Sequence, residues 1–444
     1  MSEAFSRRDG RLHAEAVSVE QIVESVGTPV FIYSASELSE RYDALDAAFS
    51  DVPHTICYAI KANMNLAVVQ TLVARGCGID VTSAGELFRA QLAGGDPSEF
   101  VYSGVGKTDA EIDHALDAGI RVFNVESHAE LRVIDARAAQ RGVVAPVSFR
   151  VNPDVDPQTH PYISTGLSSS KFGIPIAEAV GAYAEAKALE HVRVVGVACH
   201  IGSQMVSLDP IVDALQRVRD LVVELREAGH GIELLDVGGG LGITYDRERP
   251  PTAAEYADAI IATVGDLGCH LIVEPGRWIA GNAGIFVTRV LYGKHNGDKH
   301  FAVVDGAMTD LIRPTLYHAY QRIEPVGPPR EGTRVVDVVG PVCESADFLA
   351  QQRELPTLER DDLLAIHSAG AYGFVMSSNY NGRCRAAEVL VRGDHFEIVR
   401  ARDRFEDLIR GESIPEDLTR GESAPGERAP GGRARGESKP EDPI

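Results

Sequence analysis

The stretch ICYAIKAN, residues 56–63, is an apolar, β-favouring run that ends in Lys61 and Asn63. A lysine ammonium at the end of a strand suited to burial loses hydration, so its surroundings must pair it, neutralise it or use it chemically. A lysine that merely surfaces into solvent would need no function. The run has successors. GIDVTS (78–83), FVYSG (100–104), VFNVES (122–127), VSFRVNP (147–153), VVGVACHIGS (194–203), ELLDVGGG (233–240) and LIVEPGR (271–277) are short and apolar, and most stop at glycine or polar residues. Between them, stretches such as NLAVVQTLVARG, AEIDHALDAG and LDPIVDALQRVRDLVVELREAG space their apolar residues as helices do. Near-continuous apolar strands alternating with helices suit a parallel sheet covered on both faces. Eight such repeats predict a TIM-like (β/α)8 barrel over residues 28–284, with chemistry at the C-terminal strand ends. A doubly wound open sheet fits less well, because no GxGxxG opens the first unit.

Those strand ends carry Lys61, Ser83, Ser103, Glu126, Asn152, His200, the Gly238–Gly240 run and Glu274 to Arg277. Each alone is an ordinary strand end; in a barrel all converge on one face. After residue 285 the pattern turns β-rich without regular helices, predicting a C-terminal antiparallel β-sandwich or barrel domain over 285–410. Residues 1–27 form an N-terminal segment expected to pack with that domain. From 411 to 444 the chain is rich in Gly, Pro and charge, with RGES beginning at 410, 420 and 435, the composition of a disordered tail.

The whole chain bounds the function further. Its 444 residues predict about two or three domains. No run approaches the roughly 20 apolar residues of a membrane span. MSEAFSRRDGRLHAEAVSVE lacks the apolar centre of an export signal. Six cysteines without CxxC spacing argue against zinc or a disulfide framework, so no metal site and a reducing cytoplasm are expected. With 65 acidic against 43 basic residues the net charge is −22, which repels nucleic acid and anionic membranes. Any anion must therefore meet a locally prepared site.

LDVGGGLGI offers one, since the loops after the seventh and eighth barrel strands are the recurrent phosphate site, with backbone N–H groups as donors. EPGR, residues 274–277, sets a carboxylate and a guanidinium three residues apart. They could form a salt bridge; alternatively the carboxylate holds a protonated ring nitrogen and the arginine grips a carboxylate. His200 reads either as a core histidine or as a flat ring lying against a cofactor. A lysine amine, a phosphate cradle and an acid for a pyridinium are together the parts that pyridoxal 5'-phosphate requires. An aldolase working through a lysine amine would not need the acid.

The segments YAIKANMNLAVV, GIDVTSAGEL, HPYISTGLSSSKFGI, HIGSQ, LDVGGGLG, EPGRWIAGNAG, DGAMTDLIRPTLYHAY, GPVCESADFL and AGAYGFVMSSNYNGR occur in this order. Across residues 20–410 the chain thereby resembles the barrel-fold, fold type III pyridoxal-phosphate decarboxylases, and among them the family that acts on diaminopimelate. The resemblance implies that Lys61 carries the cofactor on its amine, that His200 stacks on the ring and that Glu274 pairs with the pyridine nitrogen. It implies a phosphate held by Ser203, Gly240 and the Gly276 and Arg277 backbone, with Tyr372 at both phosphate and substrate. Cys343 is similar to the family's proton donor, contributed across a homodimer interface, and Glu344 would face the substrate's distal amino group. Arg277, Arg313 and Tyr317 match positions that hold substrate carboxylate. The activity so implied is conversion of meso-2,6-diaminopimelate to L-lysine and carbon dioxide, the last step of lysine biosynthesis. A decarboxylase of ornithine, arginine or carboxynorspermidine is one rival, and a catalytically silent partner-binding homologue another; an arginine at 313 favours a substrate whose far end is a carboxylate. The chain departs from the pattern at Ala346, where glycine is common, and around Cys384, Ala386 and Ala387, where prolines are usual.

Overall fold

The computed structural model describes residues 4–156 and 170–415. Most of HPYISTGLSSSKFGI and nearly all of the expected tail lie outside these residues.

Strands are numbered here in chain order: β1 (Phe5–Arg8) and β2 (Arg11–Ala14) form an antiparallel hairpin, and β3 (Val30–Ser34) follows. The eight parallel barrel strands are β4 (His54–Ala59), β5 (Gly78–Val81), β6 (Phe100–Tyr102), β7 (Val122–Val125), β8 (Ala145–Asn152), β9 (Val192–Ala198), β10 (Leu234–Asp236) and β11 (His270–Val273). Each pairs with the next, and β11 returns to β4 with Leu271 opposite His54, which closes the cylinder. The (β/α)8 expectation therefore holds. Helix starts are signalled locally: Ser34, Asn65, Ser83 and Ser127 accept from backbone N–H groups one turn in, and Thr108 and Thr252 form full capping boxes with Glu111 and Glu255.

One boundary differs from expectation. β3 falls inside the interval read as barrel, yet it pairs antiparallel with Gly284–Val287 and parallel with Ala387–Val391. It belongs to the β-rich unit, where its alternate residues Val30 and Ile32 join an apolar cluster with Ile285, Val287 and Val389. VFIYS is buried on both faces, so its apolar run gave no sign of which sheet it would enter. The helix after it, Ala35–Ala48, packs against helices Leu66–Val73 and Ala253–Val264 and so covers the seam between the last and first barrel strands.

The β-rich unit comprises β12 (Gly284–Asn296), β13 (Lys299–Val304), β14 (Thr333–Val339), β15 (Phe348–Pro356), β16 (Leu363–Ile366), β17 (Ala387–Arg392) and β18 (His395–Arg400). The order β15-β14-β13-β12-β3-β17-β18 makes one mixed sheet, in which β13 pairs parallel with β14. The β1–β2 hairpin docks on this unit: the Leu12 N–H donates to the Val326 carbonyl, and Phe5 and Leu12 join the same apolar cluster as Val30.

Inside the barrel, side chains alternate along each strand between interior and helix layer. Cys57, Val101, Val122, Val195 and Ile272, with Leu234, form a separate apolar plug. Two residues further along four of those strands stand Ser103, Asn124, Asp236 and Glu274, all buried. The plug thus ends in a polar layer at the C-terminal face. Lys107 supports this end: its amine, almost wholly buried, donates to the carbonyls of Gly104 (2.9 Å) and Asn124 (2.8 Å) and to Glu130 (2.6 Å). Removing one partner of a buried pair leaves an uncompensated charge, at a cost of about 3–5 kcal/mol. Lys107→Met is therefore expected to lower unfolding stability by about that amount in a denaturant titration; a change of under about 0.5 kcal/mol, typical of an exposed site, would contradict this support.

Candidate active site

Lys61 does not lie in β4 itself. It occupies a single 3-10 turn, Ile60–Ala62, directly after the strand, from which its amine reaches Asp80 at 2.8 Å. Asp80, on β5, is fully buried, and its Oδ1 has no hydrogen-bond partner among the described residues. Burial alone would lower the Lys61 pKa, but the Asp80 carboxylate at hydrogen-bond distance outweighs it and holds the amine above the usual lysine range. The pairing answers the burial question that Lys61 raises.

Glu274 follows β11, and EPGR is not a salt bridge. The Arg277 guanidinium turns away to donate to Ser203 Oγ (3.2 Å) and to the Tyr245 hydroxyl (2.6 Å). Glu274 instead faces Asp236, and Ser103 Oγ lies 3.5 Å from its Oε1. Burial first, then the neighbouring Asp236 and Asp80, push its pKa well above the usual carboxylate value.

His200, after β9, accepts from the Gly239 N–H at Nδ1 (3.1 Å), which leaves the proton of the neutral ring on Nε2. Burial, with Arg150 and Lys61 nearby, lowers its pKa well below the ordinary value, so the ring is uncharged at neutral pH. The glycine run is required by close packing. At Gly240, with φ of +106°, a Cβ would come 2.2 Å from Met205 Cε and 2.5 Å from the Gly202 carbonyl oxygen. At Gly239 it would lie 2.0 Å from the Glu274 carbonyl oxygen.

The β-rich unit supplies the other wall. The AGAYG loop docks on the Lys61 turn, where the Tyr372 N–H donates to the Ala62 carbonyl (2.8 Å) and Asn63 Nδ2 to the Gly370 carbonyl (3.0 Å). Tyr372 holds φ of +55°, uncommon for a side chain of this size, and its ring lies 4.7 Å from the Arg277 guanidinium. The short helix Arg313–Tyr317 presents Arg313 over the Tyr245 ring at 4.4 Å. Arg313 Nε and Nη1 are buried without a hydrogen-bond partner among the described residues.

Lys61, His200, Ser203, Glu274, Arg277, Arg313, Tyr317 and Tyr372 all line one cavity of about 630 Å3, with Asp236 and Tyr245 among the other lining residues. Gly240 lies in the glycine turn beside it, and a Cβ on Gly276 would touch Ala59 and Ala62, so that glycine lies against the Lys61 turn. Cys343 and Glu344 are not brought to the cavity: both are exposed, and the Cys343 N–H donates to Asn381 Oδ1 (2.8 Å). Asp80, Asp236 and Tyr245 were not among the residues expected from sequence. Two-residue alternation from Gly78 and Leu234 would have found the two acids; Tyr245, in the loop after LDVGGGLG, carries no comparable signal.

A pyridoxal-phosphate site needs an amine, an acid for the ring nitrogen and a tight backbone cradle, and this cavity has all three. Residues 35–281 match the family model for the pyridoxal-binding domain of pyridoxal-dependent decarboxylases. The chain is 52% identical over 409 residues to the diaminopimelate decarboxylase of Pseudomonas aeruginosa, covering 92% of this chain and 98% of that one. The chain belongs to the diaminopimelate decarboxylase family of pyridoxal-dependent enzymes. Among solved structures, the diaminopimelate decarboxylase of Helicobacter pylori complexed with L-lysine is 40% identical, with TM-score 0.86 over 88% of this chain and 98% of that chain. The one from M. jannaschii in co-complex with L-lysine is 38% identical, with TM-score 0.90 over 94% and 99%.

The glycine turn yields a direct test. Gly240→Ala meets both a left-handed backbone and Met205, a strain of about 1–3 kcal/mol. Titration of the protein with pyridoxal phosphate is expected to show affinity weakened roughly tenfold or more, and an unchanged Kd would contradict the cradle.

Proposed function

We infer that the protein removes carbon dioxide from meso-2,6-diaminopimelate to give L-lysine, using pyridoxal phosphate carried by Lys61. The observation that carries the substrate reading is Arg313, a guanidinium that lines the Lys61 cavity and whose Nε and Nη1 are buried with no acceptor among the described residues. A substrate carboxylate would give this cation the anion it lacks, which a diamine precursor such as ornithine cannot do with its far end. A product that keeps the L centre means that the carboxylate leaves the D carbon. The far end is then an intact amino-acid group, with a carboxylate for Arg313 and an ammonium for Glu344.

Bound in the cavity, pyridoxal phosphate supplies an electron sink for the carbanion left by loss of carboxylate. The chain's residues do the rest. Asp80 receives the Lys61 amine as an ammonium whenever it is free. Glu274 would hold a proton for the ring nitrogen, the uncharged His200 ring would lie against the cofactor, and Ser203 with the Gly240 and Gly276 turns would hold the phosphate. Arg277, Tyr317 and Tyr372 flank the substrate. Cys343 delivers the proton to the reacting carbon from the second subunit of a homodimer, which accounts for its exposure in a single chain.

Among the described residues no helix is long and apolar enough to cross a membrane. The six cysteines are all unpaired, which supports a place in the reducing cytoplasm.

Arg313→Ala leaves a substrate carboxylate unpaired, a loss of about 3 kcal/mol. Carbon dioxide release from meso-diaminopimelate is expected to fall roughly 150-fold in kcat/KM, with ornithine and arginine remaining poor substrates for the parent; equal turnover of ornithine by the parent would overturn the substrate reading. Mixing inactive Lys61→Ala with inactive Cys343→Ala should restore activity, because a mixed dimer holds one intact site. No recovery in subunits shown to exchange would contradict the shared site.

A further inference from the structure

Asp236 has no part in the roles assigned above, yet it stands at the centre of the polar layer. It is buried at the end of β10, where its Oδ1 accepts from the Gly238 N–H (2.9 Å) and its Oδ2 from the Asn124 side-chain amide (2.7 Å). Asn124 also donates to Ser103 Oγ (3.2 Å) and accepts from Ser148, so its orientation is locked. Glu274 stands on the adjoining strand end, where its N–H donates to the Gly238 carbonyl (2.8 Å), and the Asp236 carboxyl raises the proton affinity of its own. Two neighbouring carboxyls buried inside a barrel cannot both ionise without great cost, so the pair keeps one proton.

We propose that Asp236 is a positioning residue for Glu274: held as the anion by Gly238 and Asn124, it assigns the shared proton to Glu274 and keeps it available at the cofactor's ring nitrogen. This rests on the pyridoxal-phosphate reading above. The two acids differ in supply of donors. Asp236 has two strong N–H donors, whereas among the described residues the donor to Glu274 is the hydroxyl of Ser103 at 3.5 Å. The titration tendencies agree: burial lifts Asp236 only to about 6, against the lowering by Asn124 and Gly238, while Glu274 rises much further. Asp236 is therefore the ionised member at neutral pH.

The surroundings do not reverse this order. Lys61 and Asp80 face the pair from the turn after β4 and from β5, already joined to each other. His200 is neutral, and Arg150 is engaged by Glu126 at 3.0 Å. The thiols of Cys57 and Cys199 and the Tyr256 phenol are held protonated by burial.

The consequence concerns proton affinity at the ring nitrogen. An anion behind Glu274 raises the affinity of the Glu274–nitrogen couple for its proton; removing that charge lowers it. In Asp236→Asn holoenzyme of full length, the alkaline limb of the kcat–pH profile is expected to move to lower pH by about one unit or more, with KM little changed. The ring nitrogen, followed by 15N NMR of labelled cofactor, should lose its proton over the same shifted range. Asp236→Ser, which leaves space for water, serves as a second variant should the asparagine not fold. Glu274→Gln is the control: if it leaves the ring nitrogen protonated as in the parent, the pyridoxal-phosphate assignment of Glu274 fails. If Glu274→Gln removes that protonation while both Asp236 variants titrate like the parent, the role proposed for Asp236 is overturned.

Discussion

The structure depends on one constraint: a parallel barrel with an apolar interior ends in a layer that buries three carboxyl groups beside one lysine whose side chain opens on the cavity. Each acid meets the cost of desolvation differently. Asp80 takes Lys61 as its ion-pair partner, Asp236 takes a backbone and an amide N–H, and Glu274 takes a proton. These solutions are chemically distinct although the residues stand side by side, and their difference gives the layer its chemistry. A lysine held ready by a carboxylate, a second anion and a neutral acid at one barrel end are what a cofactor-dependent decarboxylation asks of a protein.

Two units are needed to enclose this layer. Barrel strands can present side chains only upward from their ends, so the cavity would be open without a lid. The AGAYG loop and the Arg313–Tyr317 helix provide one, and hydrogen bonds from Tyr372 and Asn63 tie it to the turn that carries Lys61. Tyr245 links the pieces further, as its hydroxyl accepts from Arg277 and its ring underlies Arg313. The two guanidiniums that line the cavity are therefore held by one aromatic side chain rather than by acids. This supports the proposal that their charge meets substrate carboxylates.

Much of this was legible in the sequence because short apolar runs and the residues that end them are local signals. Lys61, His200, Glu274 and Arg277 each close an apolar run, and a closed barrel puts all such ends on one face. Arg313 and Tyr317 came from the resemblance carried by RPTLYHAY, and the short helix Arg313–Tyr317 sets both on the cavity wall. Other features were not local. β3 could have entered either sheet, since a strand buried on both faces carries no directional pattern, and its pairing depends on β12 and β17, hundreds of residues away in the chain. Asp80 and Asp236 looked like ordinary polar residues at the ends of short strands until Lys61 and Glu274 were seen across from them. Cys343 and Glu344 stand away from the cavity of their own chain, so their place rests on the homodimer proposed above.

The central claim is that Lys61, and no other lysine, bears pyridoxal phosphate in this cavity. Borohydride reduction of the cofactor-loaded protein fixes the cofactor to whichever amine carries it, and peptide mapping by mass spectrometry then identifies the residue. The account predicts a single modified peptide containing Lys61; modification at Lys107 or another lysine with Lys61 untouched, or no modified peptide at all, would contradict it.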